Sequence, residues 1–271
     1  MAYFIHTNTD VVILTIFSSL SNVSVYSIYL LIVNALKSLV NSISQAILPS
    51  FGNVLAQNDK DKIDTAFDYY EFGISTISVF LFSCGIALIT PFVDVYTNNI
   101  SDAAYHQPLF GTILCLAEMV YCFRDPYIAA AYSANRFKQV SKFAVIEAAS
   151  NIVISICLVF KFGIVGVAIG TLVSMLYRMI AHIVYLKGNV LYRPIKKSVI
   201  NIIQNGICSL LIILAASIFK PKQISSYFEW VLFALLTSII AALLIIVKCY
   251  ICNKRFIVTF FKKLSRRKDF E

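Results

Sequence analysis

Residues 108–133, PLFGTILCLAEMVYCFRDPYIAAAYS, form a run apolar enough for a bilayer that nonetheless carries Glu118, Arg124 and Asp125 well inside its ends. An ionised group near the middle of a membrane helix costs about 2.5–3.5 kcal/mol on insertion scales, so three on one helix predict a polar interior rather than lipid contact. At about 100° per residue, Glu118, Tyr121, Cys122, Asp125, Ala129 and Tyr132 share one face, small or polar throughout. Ile113, Leu114, Met119, Phe123 and Ile128 fall outside that face or at its border. Pro126 has no backbone N–H to donate, which predicts a kink beside the charges.

The surrounding chain has the same character. Of 271 residues, 59% are hydrophobic and 14% charged, with a mean hydropathy of +0.80. This composition excludes an ordinary soluble domain and predicts an all-α integral membrane protein. The formal charge of +9 sits in short loops and a C-terminal run, where membrane orientation accounts for it better than nucleic acid does. The cysteines at 84, 115, 122, 157, 208, 249 and 252 lie mostly in apolar runs. Only Cys249 and Cys252 are closely spaced, too few ligands for zinc, so neither a metal nor another cofactor is expected. No Lys or Arg precedes the first apolar run and no small-residue cleavage motif follows it, so no cleaved signal peptide is expected.

About eight transmembrane helices can be laid out, at 2–20, 23–48, 67–92, 108–133, 137–160, 164–186, 199–219 and 228–251. The first is the most polar, with His6, Thr7, Asn8, Thr9 and Asp10 in its first half. The second carries the clearest stripe: Asn34, Lys37, Ser38, Asn41 and Gln45 recur at helical spacing. Pro49 is expected to end it, leaving 58–64 as a charged loop. The fifth pairs Glu147 with Asn151, and the sixth brings Thr171, Ser174, Arg178 and His182 to one face. Gly166 and Gly170 in the sixth allow another backbone to approach closely. The last two spans have almost no internal charge and read as additions to a six-helix unit. In residues 253–271, Phe256, Ile257, Phe260, Phe261 and Leu264 alternate with Lys and Arg, which predicts an amphipathic tail on anionic membrane lipid.

Alternating the spans places 17 Lys and Arg on one side and 3 on the other. By the positive-inside rule the richer side is cytoplasmic, so both termini are expected there, in a cytoplasmic membrane.

Seven charges, Asp10, Lys37, Glu118, Arg124, Asp125, Glu147 and Arg178, lie in or near the hydrocarbon zone. Exposing all of them to lipid would cost about 17–25 kcal/mol. They pair with one another or line water, and polar stripes on four helices favour a hydrated transport cavity. Lys37 and Arg178 have no acid within one helical turn in sequence, which makes them candidates for contacting phosphate, with Asn34, Asn41 and Gln45 beside Lys37. Arg124 has acidic neighbours. Glu118, Asp125, Glu147 and Asp10 are either partners of these cations or holders of a coupling cation, and spacing does not separate the two roles. No Walker A loop, nucleophile motif or paired metal-ligand motif occurs, so neither an enzyme nor an ATPase subunit is expected.

Two stretches carry a family pattern. The first comprises Asn8-Thr9-Asp10-Val11-Val12-Ile13-Leu14, Val25-Tyr26-Ser27 and Ser44-Gln45-Ala46-Ile47-Leu48-Pro49-Ser50-Phe51. The second is Asn151-Ile152-Val153-Ile154, leading through Lys161-Phe162-Gly163-Ile164-Val165-Gly166-Val167-Ala168-Ile169-Gly170-Thr171. In order and separation they resemble the second half of bacterial polysaccharide flippases, the O-antigen and capsule repeat-unit exporters of the multidrug/oligosaccharidyl-lipid/polysaccharide superfamily.

The resemblance implies a MATE-like fold of two six-helix lobes around a central cavity, often with two further C-terminal helices. It also implies flipping of lipid-linked, undecaprenyl-pyrophosphate-type oligosaccharides by alternating access. On this reading residues 1–186 are the second lobe, 187–252 the two additional helices and 253–271 the basic tail. Lys37, Arg124 and Arg178 carry over as cavity cations. The first lobe has no counterpart here, so the chain is expected not to transport alone and to work with a first-lobe polypeptide or by self-association. Two other readings stay open: a cation-coupled multidrug antiporter of the same superfamily, and a non-transporting remnant or partner subunit.

Overall fold

Polar breaks between apolar runs give this chain its connections, and packing decides how far each helix continues past them. The computed structural model describes residues 2–221 and 223–252, with side chains from Thr9 onward. The expected amphipathic tail at 253–271 and the side chains of His6, Thr7 and Asn8 lie outside the described residues. Those residues form seven helices: α1 (Ala2–Phe17), α2 (Leu20–Ala56), α3 (Lys60–Tyr96), α4 (Pro108–Ser133), α5 (Phe137–Leu186), α6 (Ile195–Ile218) and α7 (Tyr227–Cys252). Of these, α2, α3, α5, α6 and α7 are long and apolar enough to cross a membrane.

The fifth and sixth expected spans are the two arms of α5, whose 50 residues would reach about 75 Å if straight. It folds back at Gly163, where φ is 55° and ψ is −132°, a conformation open to glycine. The two arms then meet backbone to backbone. A Cβ at Gly166 would lie 2.5 Å from the Leu158 carbonyl oxygen, and one at Gly170 would lie 3.0 Å from the Ser155 nitrogen.

Two expected boundaries are corrected. Pro49 does not end α2, which runs on to Ala56. Proline removes a single ladder bond, and here the following turn is held by Phe51, buried against Phe67 at 6.0 Å and Tyr70 at 5.8 Å between ring centres. The charged loop expected at 58–64 therefore shrinks to Gln57, Asn58 and Asp59. Asn58 takes φ of 54°, and the Asp59 carboxylate caps α3 by accepting from the Lys62 N–H at 3.3 Å. Pro91 also lies inside a helix, α3, and α6 begins at Ile195.

The central element is α4, packed on α2, α3 and α5, while α1 lies against α5 and the α6–α7 pair lies against α3. Tyr26, Tyr29 and Phe110 form one aromatic layer of the core, and Phe51, Phe67, Tyr70 and Tyr127 form another. On the outside, Ile207, Leu210, Leu214, Leu235, Ile239 and Leu243 are half-exposed or more, a surface that suits lipid.

Candidate functional site

The polar stripe of α2 lies on its partly exposed side. Asn34, Lys37 and Asn41 are half-buried, while Ser38 and Gln45 are exposed. Lys37 finds its acid on another helix, with Nζ 3.0 Å from Glu118 Oε2 of α4. The same ammonium lies 4.8 Å from the centre of the Tyr121 ring, and the Arg124 guanidinium is also 4.8 Å from that centre. One phenol ring thus holds two cations near each other, each gaining from the ring quadrupole.

From Arg124 the chain of charges passes to α5. Arg124 Nη1 donates to Glu147 Oε1 at 2.6 Å, and Arg178 Nη1 donates to Glu147 Oε2. Both arms of α5 are therefore tied through one carboxylate, Glu147 from the first and Arg178 from the second. The side chains of Arg124 and Glu147 are each 1% exposed, whereas those of Lys37 and Arg178 are each 14% exposed. The Nε atoms of Arg124 and Arg178 are buried with no hydrogen-bond partner, so each guanidinium retains donors. Behind Arg178, His182 Nδ1 lies 2.8 Å from the Arg178 carbonyl oxygen, and its ring packs on Phe143.

Asp10 belongs to a separate group. Its Oδ2 accepts from the Tyr26 hydroxyl at 2.7 Å and the Thr171 hydroxyl at 2.8 Å. Thr171 Oγ1 in turn accepts from Asn151 Nδ2 at 3.1 Å, and Asn151 Oδ1 accepts from Ser155 Oγ at 3.3 Å. This brings α1, α2 and both arms of α5 to one buried cluster rich in neutral oxygens, the donor type that suits hard cations.

The candidate residues thus fall into distinct places. Lys37, Glu118, Arg124, Glu147 and Arg178 form one chain of ionic and ring contacts across α2, α4 and α5. Asp10 lies in the oxygen cluster, and Asp125 is half-buried on α4 beside Ser44 of α2. Asn34, Asn41 and Gln45 share the stripe with Lys37; the Asn34 carbonyl oxygen accepts from Ser38 Oγ at 2.8 Å, and none of the three side chains has a hydrogen bond among the described contacts. The sequence offered Tyr26 only as part of a family pattern and gave no role to Glu71, which lies within the expected span 67–92. Glu71 is in fact buried and accepts from the Tyr127 hydroxyl.

An all-helical, multi-pass arrangement with a chain of buried charges at its centre is that of an integral membrane protein. No family model matches the sequence, and no curated protein does. Among solved structures, the chain is similar to the lipid II flippase MurJ in its inward closed conformation, with a TM-score of 0.69 and 16% sequence identity. The likeness covers 93% of this chain and 51% of that one, so the chain spans about half the length of the structure it matches.

Proposed function

We propose that this chain is part of a membrane flippase that translocates lipid-linked oligosaccharide repeat units of the undecaprenyl-pyrophosphate type for surface polysaccharide of the O-antigen or capsule kind. The observation that carries this reading is the sharing of one carboxylate, Glu147, by two guanidiniums. With the Lys37–Glu118 pair it leaves three cations facing two acids, on a flippase-type fold. Arg178 and Lys37 are the partly exposed members and contact the pyrophosphate, with Asn34, Asn41 and Gln45 nearby. Arg124, fully buried, holds Glu147 in place. Residues 1–186 act as one lobe, 187–252 as two additional helices, and both ends face the cytoplasm. A facing lobe closes the cavity.

The test is export in cells whose surface polysaccharide depends on this protein. Arg178→Gln and Lys37→Gln are each expected to abolish export while the protein stays in the membrane. Normal export by both variants would end this reading.

The antiporter alternative draws on the Asp10 cluster, whose carboxylate and neutral oxygens suit a coupling cation better than Glu118 or Glu147, both held by cations. Asp10→Asn keeps an acceptor for Tyr26 and Thr171. If it removes the dependence of export on a cation gradient while export down a substrate gradient persists, Asp10 is the coupling group of the flippase. Drug efflux that needs Asp10 but neither Lys37 nor Arg178 would favour the antiporter.

A further inference from the structure

A second polar site lies away from the Glu147 cluster, where α3, the α5–α6 connection, α6 and the end of α7 meet. Asp68, Glu71, Arg193, Lys197, Asn201 and Cys252 contribute to the wall of a half-open cavity of about 250 Å³ there. Arg193 precedes α6 and Lys197 is in its first turn, so the mouth is at the end of a spanning helix. That is the level of lipid headgroups.

Both acids in this wall are already occupied. Asp68 accepts from Arg193 Nη1 at 2.5 Å through Oδ1 and from Lys197 Nζ at 3.0 Å through Oδ2. Glu71 accepts from Arg193 Nη2 at 2.5 Å through Oε2 and from the Tyr127 hydroxyl through Oε1. What the wall still offers is donors. Arg193, 5% exposed, has a buried Nε with no hydrogen-bond partner, and Lys197, 51% exposed at its side chain, has protons to spare. One layer behind, buried Lys248 donates to Asn205 Oδ1 at 2.7 Å and lies 5.5 Å from the Phe72 ring centre, and Asn205 donates to Asn201. Arg193 and Lys197 thus face Asp68 and Glu71, each engaged at both oxygens, with Asp64 also near both cations and Lys248 one layer behind.

We propose that this cavity binds the phosphate of an anionic membrane phospholipid. A zwitterionic headgroup would bring a further positive charge for which the wall has no uncommitted carboxylate, whereas an anionic headgroup adds only the phosphate oxygens that match the unused N–H groups of Arg193 and Lys197. Basic pockets between helices at an anionic leaflet take lipid headgroups in this way. The bound lipid seats the α6–α7 pair against α3, because its ligands come from α6 and from the loop that Asp68 and Glu71 of α3 already hold.

Native mass spectrometry of the full chain in detergent, supplied with phosphatidylglycerol, phosphatidylcholine or inorganic phosphate, tests this. Phosphatidylglycerol is expected to be retained over phosphatidylcholine, and Lys197→Gln, which changes a half-exposed side chain, to lower that retention about fivefold. Gln204→Leu, another change in the cavity wall, is expected to lower it too, and Lys220→Gln, outside the cavity, to leave it unchanged. Equal retention of the two lipids, no effect of Lys197→Gln, or an equal loss in Lys220→Gln would overturn the proposal. Inorganic phosphate displacing phosphatidylglycerol at equal concentration would also overturn it, assigning the site to a soluble anion.

Discussion

Lys37 and Glu118 approach to 3.0 Å from two different helices, so a cation with no acid near it in sequence is neutralised across the α2–α4 contact. Removing one member of a buried pair leaves the other charge uncompensated, at a cost of about 3–5 kcal/mol when burial is complete. Lys37 is 14% exposed, which moderates that cost. Lys37→Ala is expected to lower the unfolding temperature in detergent, and the double variant Lys37→Ala/Glu118→Ala to recover most of it without restoring export. Recovery of export along with stability would make the pair purely structural.

Glu147 joins the two arms of α5 to α4, and its loss strands two guanidiniums at once. Glu147→Ala is therefore expected to reduce membrane accumulation more than Arg178→Ala does. Arg178→Lys keeps the charge but loses the planar fork. It is expected to accumulate normally while export falls about tenfold, the scale of one charge-assisted hydrogen bond. Quantitative blotting of membranes beside surface polysaccharide separates the two effects.

The hairpin inside α5 depends on close approach. Gly170→Ala would bring a methyl group against Ser155, and accumulation should collapse. Gly206→Ala and Gly73→Ala meet nothing within 4 Å and should be neutral or stabilising by up to about 1 kcal/mol through helix propensity. Thermal unfolding of the three variants checks the contrast.

Orientation can be read with single cysteines in a cysteine-free background. A cysteine at Asn98 or Asn99, in the α3–α4 connection, should react with an impermeant reagent added outside, and one at Asn58 should not. The reverse pattern would invert the assignment made from basic residues.

The extent of α4 was legible because its ends are written locally: Pro108 opens it and Asn135, at φ of 56°, turns the chain after it. Gly163 likewise marked the division within α5. Pro49 misled because its local preference was set against the burial of Phe51, which belongs to tertiary packing. Within the candidate site the residue types were visible but their pairings were not, since Lys37–Glu118 and Arg178–Glu147 join positions far apart in sequence. Arg193 and Lys248 were both counted as cytoplasmic basic residues, and both are buried, because their partners Glu71 and Asn205 come from other helices.

At 37 residues each, α2 and α3 are rods of about 55 Å. A hydrocarbon slab of about 30 Å cannot contain them even at the steepest common tilts. Part of their length therefore lies outside the slab, and the turn at Gln57, Asn58 and Asp59 joins them at one end. The capped turn between α2 and α3 provides a handle for image alignment. A fiducial protein fused through two continuous helices at Asn58 would move as one body with the core.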